Sequence, residues 1–262
     1  MVYKGSCGPF PGSDPVIRFV PETGSTNEDM KQLAAEGAVE GLWLRAGKQS
    51  AGKGRMGRVW EGEDGNVYAS TLVRLHPGDP APPTLAFVTA VAVHSALSEF
   101  VGSGALQIKW PNDIMARLLP DHGAGASGGD YAKLCGMLME RNGDAIIIGI
   151  GVNIVKAPQL PDRAATCLRD LGAIGCDAGA VLSAMADHFR TALAHWRTYG
   201  PEPVIRAWLE RAHPAGTALG VSLPDGTRVE GWFETLDKDG ALILRLADGS
   251  SHAIHAGDVF LL

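Results

Sequence analysis

The chain has 262 residues, 45% hydrophobic and 20% charged, with a formal net charge of −6. These are the proportions of a globular protein with an ample core, one sizeable domain plus a small appendage, and they exclude a disordered chain. The acidic surface as a whole repels nucleic acid, and no apolar run is read as the ~20 residues of a membrane span.

The start, MVYKGSCGPFPGSDP, has no apolar core of a secretory signal and reads as a loose lead-in. Cys7, Cys135, Cys167 and Cys176 form no CxxC pair, which speaks against a disulfide framework or a zinc ribbon; free thiols and a cytoplasmic location are expected. VIRFV alternates like a strand, after which Ser25 or Thr26 caps a helix with Glu28 and Asp29 in its first turn and Leu33 and Ala34 at helical spacing. GLWLRAGKQS and NVYASTLVRL read as two further strands joined by a loop.

That loop is the informative stretch. From Arg45 to Arg58 the chain carries Arg45, Lys48, Lys53, Arg55 and Arg58 and no acid, interleaved with Gly52, Gly54 and Gly57. Glycines let a backbone approach a ligand and present its N–H groups, while arginines clamp phosphate oxygens through paired charge-assisted bonds. A small basic patch on an acidic chain suits a nucleotide-sized polyanion better than a duplex.

Farther along, PPTLAFVTAVAVHSALSEFVG is apolar on nearly every face, as a buried helix is, with Pro83 near its start and Gly102 and Gly104 past its end. LQIKWPND reads as a short strand stopped by proline, and ARLLPDHGAGASGGDYA (116–132) as an exposed insertion. KLCGMLME and AIIIGIGVNI form a hairpin about the Asn-Gly of RNGD. The pattern is helical from about 178 to 211, and beyond Pro214 short strands punctuated by PDG, KDG and ADG read as a small barrel. Three units are expected: a lead-in (1–15), a main domain (16–213) and a terminal barrel (214–262).

Several catalytic signatures are missing: there is no GxxxxGK[ST], HExxH or GxSxG. His252 and His255, three apart in a predicted strand, point to opposite faces and read as structural; no metal ligands are assigned. The GxG of Gly149 and Gly151 opens no GxGxxG and is weak by itself. What remains is a set of polar residues at strand ends: Ser25-Thr26-Asn27, the basic loop, Lys109-Trp110-Pro111-Asn112-Asp113, Lys133 and Asn153. A lysine such as Lys133 can aim its ammonium at charge developing on a carbonyl or phosphoryl oxygen, and KWPND holds an Asn-Asp pair in a fixed direction.

In order, STN (25–27), QSAGKGRMGRVW (49–60), NVYAS (66–70), KWPND (109–113), KLCGMLME (133–140) and GIGVNI (149–154) resemble the biotin protein ligases over roughly residues 16–170. The resemblance implies an α+β fold: a mixed β-sheet catalytic domain of the biotin/lipoate ligase type with helices packed on it, then a small Src-homology-3-like β-barrel. It implies a two-step reaction in which ATP and biotin give biotinyl-5'-adenylate and pyrophosphate, and a lysine of a biotin carboxyl carrier domain attacks the mixed anhydride. By the same resemblance Lys133, Arg55 and Asp113 are catalytic, and Ser25, Thr26, Asn27, Gln49, Gly52, Lys53, Arg55, Lys133 and Gly136 contact biotin. Lys53, Gly54, Arg55, Arg58, Trp60, Lys109, Asn112 and Asn153 serve ATP or the adenylate. Magnesium accompanies ATP, no nucleic acid or membrane partner is expected, and the chain is a monomer or a homodimer.

Asp113 is left with two roles, orienting Lys133 or the incoming amine. Lys53, Met56 and Cys135 depart from the family's usual arginine, basic or glycine, and alanine residues. With no helix-turn-helix predicted before residue 16, repressor activity is not expected. Two other readings stay open: a lipoate ligase or octanoyltransferase of the same fold, and a non-catalytic nucleotide-binding module.

Overall fold

A computed structural model describes residues 15–60, 63–118, 131–160 and 164–262. Its larger sheet contains β1 (Val16–Thr23), β2 (Leu42–Gln49), β3 (Val67–Arg74), β4 (Leu106–Lys109), β5 (Asp113–Arg117), β6 (Tyr131–Asn142) and β7 (Ala145–Val152), in the order β1-β2-β3-β7-β6-β5-β4. Among the described residues β1–β2 is the one parallel pair of neighbouring strands in this sheet, and α1 (Thr26–Ala35) connects them. Helices α2 (Leu85–Val101), α3 (Ala178–Tyr199) and α4 (Glu202–Leu209) follow the pattern read from the sequence.

Alternation sorts the central strands between two covers. One face of β3, β6 and β7, with Val67, Ala69, Cys135, Met137, Ile146, Ile148, Ile150 and Val152, is buried with α2 and α3. On the opposite face Leu72 and Ile147 pack with Met30 and Ala34 of α1. That short helix covers only part of its face, and the remainder holds the site described below.

The terminal strands β8 (Ala218–Ser222), β9 (Arg228–Leu236), β10 (Leu242–Arg245), β11 (Ser251–Ile254) and β12 (Asp258–Leu261) form an antiparallel sheet ordered β11-β10-β9-β8-β12. The outer strands β11 and β12 do not pair with each other, so the expected barrel is an open five-stranded sheet. It does not stand apart: Leu219, Val221, Phe233 and Leu244 share one core with α2 and α4, and Trp208 of α4 meets Phe87 and Phe233 edge to face.

Three expectations need correction. KWPND does not end a single strand: the chain turns at Trp110–Pro111 and pairs back as β5, with Asp113 opposite Lys109. Proline stopped β4, but nothing in the apolar run DIMA marked a second strand. The insertion is accordingly shorter than 116–132, since Ala116 and Arg117 end β5 and Tyr131 and Ala132 begin β6; residues 119–130 lie outside the described ones. Finally, Pro82–Val101 is a 20-residue helical stretch of mean hydropathy 1.5, long and apolar enough to cross a membrane. Its apolar residues are instead buried against the sheet and α3, so it serves as a core helix.

Candidate functional site

The uncovered part of the α1 face is floored by glycine. Gly136 of β6 pairs with Gly151 of β7, and Gly149 with Ser70 of β3. A Cβ at Gly151 would stand 2.5 Å from Trp60 Cζ2 and 2.6 Å from its Nε1, and one at Gly136 2.8 Å from its Cζ3. At Gly149 it would overlap Asn27 Oδ1 and lie 2.9 Å from its Cγ. The GxG that means little as a nucleotide fingerprint thus has a different use: it lets an indole and an amide lie directly on the sheet. The cavity left between this floor and the basic loop has a volume of about 160 Å3.

One end is a closed hydrogen-bond chain. The Thr26 backbone N–H and hydroxyl donate to Gln49 Oε1 at 2.7 and 3.0 Å. The single Ser70 hydroxyl proton is shared between Thr26 Oγ1 at 2.7 Å and Asn27 Oδ1 at 2.6 Å, and Asn27 Nδ2 donates to Glu140 at 2.7 Å. Asn27 is therefore a buried brace whose amide is committed on both sides. Ser70 and Glu140 escaped the sequence reading because a serine in a strand and an acid near a hairpin carry no motif.

Lys133 reaches the cavity through an irregularity. In regular alternation it would share the face of Cys135 and Met137, toward α2 and α3. The register of β5 on β6 shifts here, with Ile114 opposite Cys135 but Met115 opposite Lys133, so Leu134 is the extra residue of a bulge. Leu134 drops into the core, while the Lys133 ammonium lies 2.6 Å from Asp113 Oδ1 and 5.4 Å from the centre of the Trp60 ring. The Asp113 oxygen receives charge but no well-angled hydrogen bond, so this is an ion pair of proximity. The neighbouring Cys135 is fully buried, and burial pushes its thiol up; it is a packing residue.

The loop is a short turn, Arg55–Gly57, in which Met56 adopts the left-handed conformation with φ 55°. Trp60 is tied back by its N–H to Gly52 O at 2.9 Å. Arg55 reaches Asn112 Oδ1 at 3.2 Å and the carbonyl of Gly257 at 3.4 Å, and Arg58 pairs with Asp258, so the terminal sheet forms part of the wall. Burial lowers the Arg55 guanidinium from its ordinary value against the pull of Asp258 and Asp113. Lys53 turns outward to Glu28 at 2.7 Å.

The cavity lining unites Ser25, Thr26, Asn27, Gln49, Lys53, Gly54, Arg55, Arg58, Trp60, Asn112, Asp113, Lys133, Gly136 and Asn153. Gly52 stands behind it, packed against Gln49 and the Trp60 carbonyl, and Lys109 is buried in β4 away from it. Asn153 is held by its Nδ2 bond to Thr166 O at 3.1 Å. Cys135, Cys167 and Cys176 are unpaired as expected. His252 sits exposed in β11, away from the cavity.

The sequence that builds this glycine-floored cavity is matched at the level of whole families. Residues 19–153 match the Biotin/lipoate A/B protein ligase family, and residues 220–262 the Biotin protein ligase C terminal domain. The chain belongs to the biotin/lipoate A/B protein ligase family. It is 34% identical over 249 residues to the biotin–[acetyl-CoA-carboxylase] ligase of Paracoccus denitrificans, covering 91% of this chain and 97% of that one. The fold superposes on the biotin protein ligase of Aquifex aeolicus in complex with biotin and ATP with a TM-score of 0.77, at 21% identity and covering 94% and 99% of the two chains. With the Leishmania major biotin protein ligase in complex with biotinyl-5-AMP the TM-score is 0.65, at 26% identity over 93% and 100% of the chains.

Proposed function

We propose that this chain is an ATP-dependent biotin protein ligase, which joins biotin to AMP and then passes the biotinyl group to a lysine of a biotin carboxyl carrier domain. The observation that carries the reading is the delivery of Lys133, by the bulge at Leu134, into a single cavity with the Thr26–Gln49 end and Arg55. Thr26, Gln49 and Ser25 suit the ureido group of biotin, the Trp60 indole that lies on the glycine floor suits its fused rings, and Lys133 meets its carboxylate. When that carboxylate attacks the α-phosphorus and pyrophosphate leaves, the Lys133 ammonium and Arg55 offset the charge gathering on the phosphoryl oxygens, a preorganised effect that strengthens as water is excluded. Asp113 positions Lys133 rather than the incoming amine, because it already lies against the ammonium.

Among the described residues no three or more His, Cys, Asp or Glu converge, so the site offers no resident metal cage. It fits magnesium arriving on the triphosphate, where phosphate and water supply most ligands and the ion offsets the triphosphate charge. A cytoplasmic location is part of the same proposal, as is division into residues 16–213 and 214–262 with 1–15 as a lead-in. For the monomer or homodimer, the exposed edge strand β1, with Val16 and Phe19 outward, is where a second copy would pair.

Pyrophosphate release from the purified protein with ATP and magnesium, run with biotin, lipoate or neither, tests the reading. Release with biotin is expected. Release only with lipoate moves the chain to the sister activity, and none with either, from folded protein, refutes a ligase.

A further inference from the structure

The cations of the loop are already engaged by groups of the chain itself. Lys53 is paired with Glu28 of α1, Arg55 is donated to Asn112 and to Gly257 O, and Arg58 is paired with Asp258. The last contact joins unlike partners. Arg58 belongs to the lid and has a side chain 45% exposed, whereas Asp258 opens β12 of the terminal sheet and has one only 13% exposed. The backbone below Asp258 is closely packed: a Cβ at Gly257 would stand 2.7 Å from Val221 Cγ1 and 2.8 Å from Ser222 O, and Asp258 itself pairs with Ser222. The carboxylate is the buried, strand-anchored half of the pair and the arginine the exposed half.

We propose that Asp258 is an internal stand-in for nucleotide phosphate: it holds Arg58, and with it the lid, against the terminal sheet until a triphosphate takes the guanidinium over. A guanidinium accepts a carboxylate or a phosphate through the same fork of N–H groups, so the two anions compete for one donor set. The triphosphate prevails by its greater charge and its further contacts with Arg55. Asp258 is then a positioning residue that lowers apparent triphosphate affinity while keeping the empty lid closed over the glycine floor, and the terminal sheet takes part in the nucleotide step. The inference rests on the reading of the chain as a triphosphate-using ligase.

The test compares the full-length protein with Asp258→Asn, which keeps the shape and removes the charge. Binding of a non-hydrolysable ATP analogue with magnesium is measured by calorimetry, and trypsin cleavage after Lys53, Arg55 and Arg58 is followed by mass spectrometry without nucleotide. If the carboxylate competes for Arg58, the variant binds the analogue about two- to fivefold more tightly, the range a half-exposed ion pair supplies, and its empty lid is cut faster. Arg58→Gln loses affinity and is also cut faster. Unchanged or weaker binding by Asp258→Asn, or an unchanged rate of cutting, overturns the stand-in. A wild-type protein that binds no analogue overturns the ligase reading along with it, whereas one that binds normally beside an indifferent variant overturns the stand-in alone.

Discussion

The Gly149→Ala substitution adds one methyl group to the cavity floor, and its consequence can be worked out from the contacts. The new Cβ would overlap Asn27 Oδ1 and sit 2.9 Å from its Cγ and 3.1 Å from its Nδ2, so the amide must retreat by about an ångström to reach ordinary contact. It has no slack: Ser70 holds its oxygen at 2.6 Å and Glu140 its nitrogen at 2.7 Å. Losing both bonds, one to a charged group, costs about 2–4 kcal/mol, which for a chain of this size lowers the melting temperature by roughly 4–16 °C. Asn27→Ala alone forfeits the same bonds and costs a similar amount. In the double variant the methyl at 149 meets no amide, so the second change adds little and the coupling energy has a magnitude of about 2–4 kcal/mol. Urea unfolding of the four proteins supplies the cycle. Additivity within about 0.5 kcal/mol would refute the claim that Gly149 exists for the approach of Asn27.

Histidine burial predicts an acid-sensitive fold. Burial pushes His94 and His213 down to about 4, with Arg211 adding to the effect at His94 and Lys109 at His213. The unfolded chain takes up both protons as pH falls through about 6.5 and the folded chain only near 4, so their contribution is full above 6.5 and is lost across that window. Between pH 7 and pH 5 each costs about 2 kcal/mol, and His94→Gln or His213→Gln should flatten the pH dependence of the urea midpoint. Lys133→Met should lower kcat for biotin-dependent pyrophosphate release by about 10²–10³ with unfolding unchanged in shape; an effect confined to KM would argue against charge stabilisation by Lys133. Gly240 has φ +90° and stands where a Cβ would be 2.6 Å from Phe87 Cζ, so Gly240→Ala should destabilise by about 2 kcal/mol or more. Because that contact lies in the shared core, calorimetry should show one transition moving, not a separate one for the terminal sheet.

What could be read ahead of the structure followed from local rules. Ser25 ahead of a first turn with Glu28 and Asp29, the Asn-Gly of the β6–β7 hairpin and the all-round apolar character of α2 are each settled within a few residues, and each appears where expected. The site was legible because its motifs retain order and spacing: the STN, KWPND and GIGVNI segments converge on one cavity. The missing parts depend on partners distant in sequence. Glu140 braces Asn27 across 113 positions, and Asp258 meets Arg58 across 200, separations over which no periodicity carries information. The strand β5 was missed for another reason: proline was read as an end, and with Asp113 opposite Lys109 it proved to be a turn.

The bulge at Leu134 shows why a residue can be picked out by its motif and its geometry still be unreadable. Strand parity puts Lys133 with Cys135 and Met137, on the face that the helices cover, where an ammonium would meet only apolar side chains at a cost of several kcal/mol. One extra residue reverses that parity. Leu134 and Cys135 then both point into the core, and the strand ahead of them leaves β7 to bond elsewhere, with Lys133 N donating to Ala164 O at 2.9 Å and Thr166 N to Lys133 O at 3.0 Å. The backbone groups freed by the bulge are thereby satisfied, which a buried irregularity requires. The segment at 164–166 is thus part of how Lys133 is aimed, although none of its side chains need touch a substrate. Shortening that segment should withdraw the lysine from Asp113 and cut turnover while leaving the cavity floor, and its Gly149–Asn27 coupling, intact. Loss of that coupling in the shortened protein would show that the bulge holds up the whole floor and not Lys133 alone.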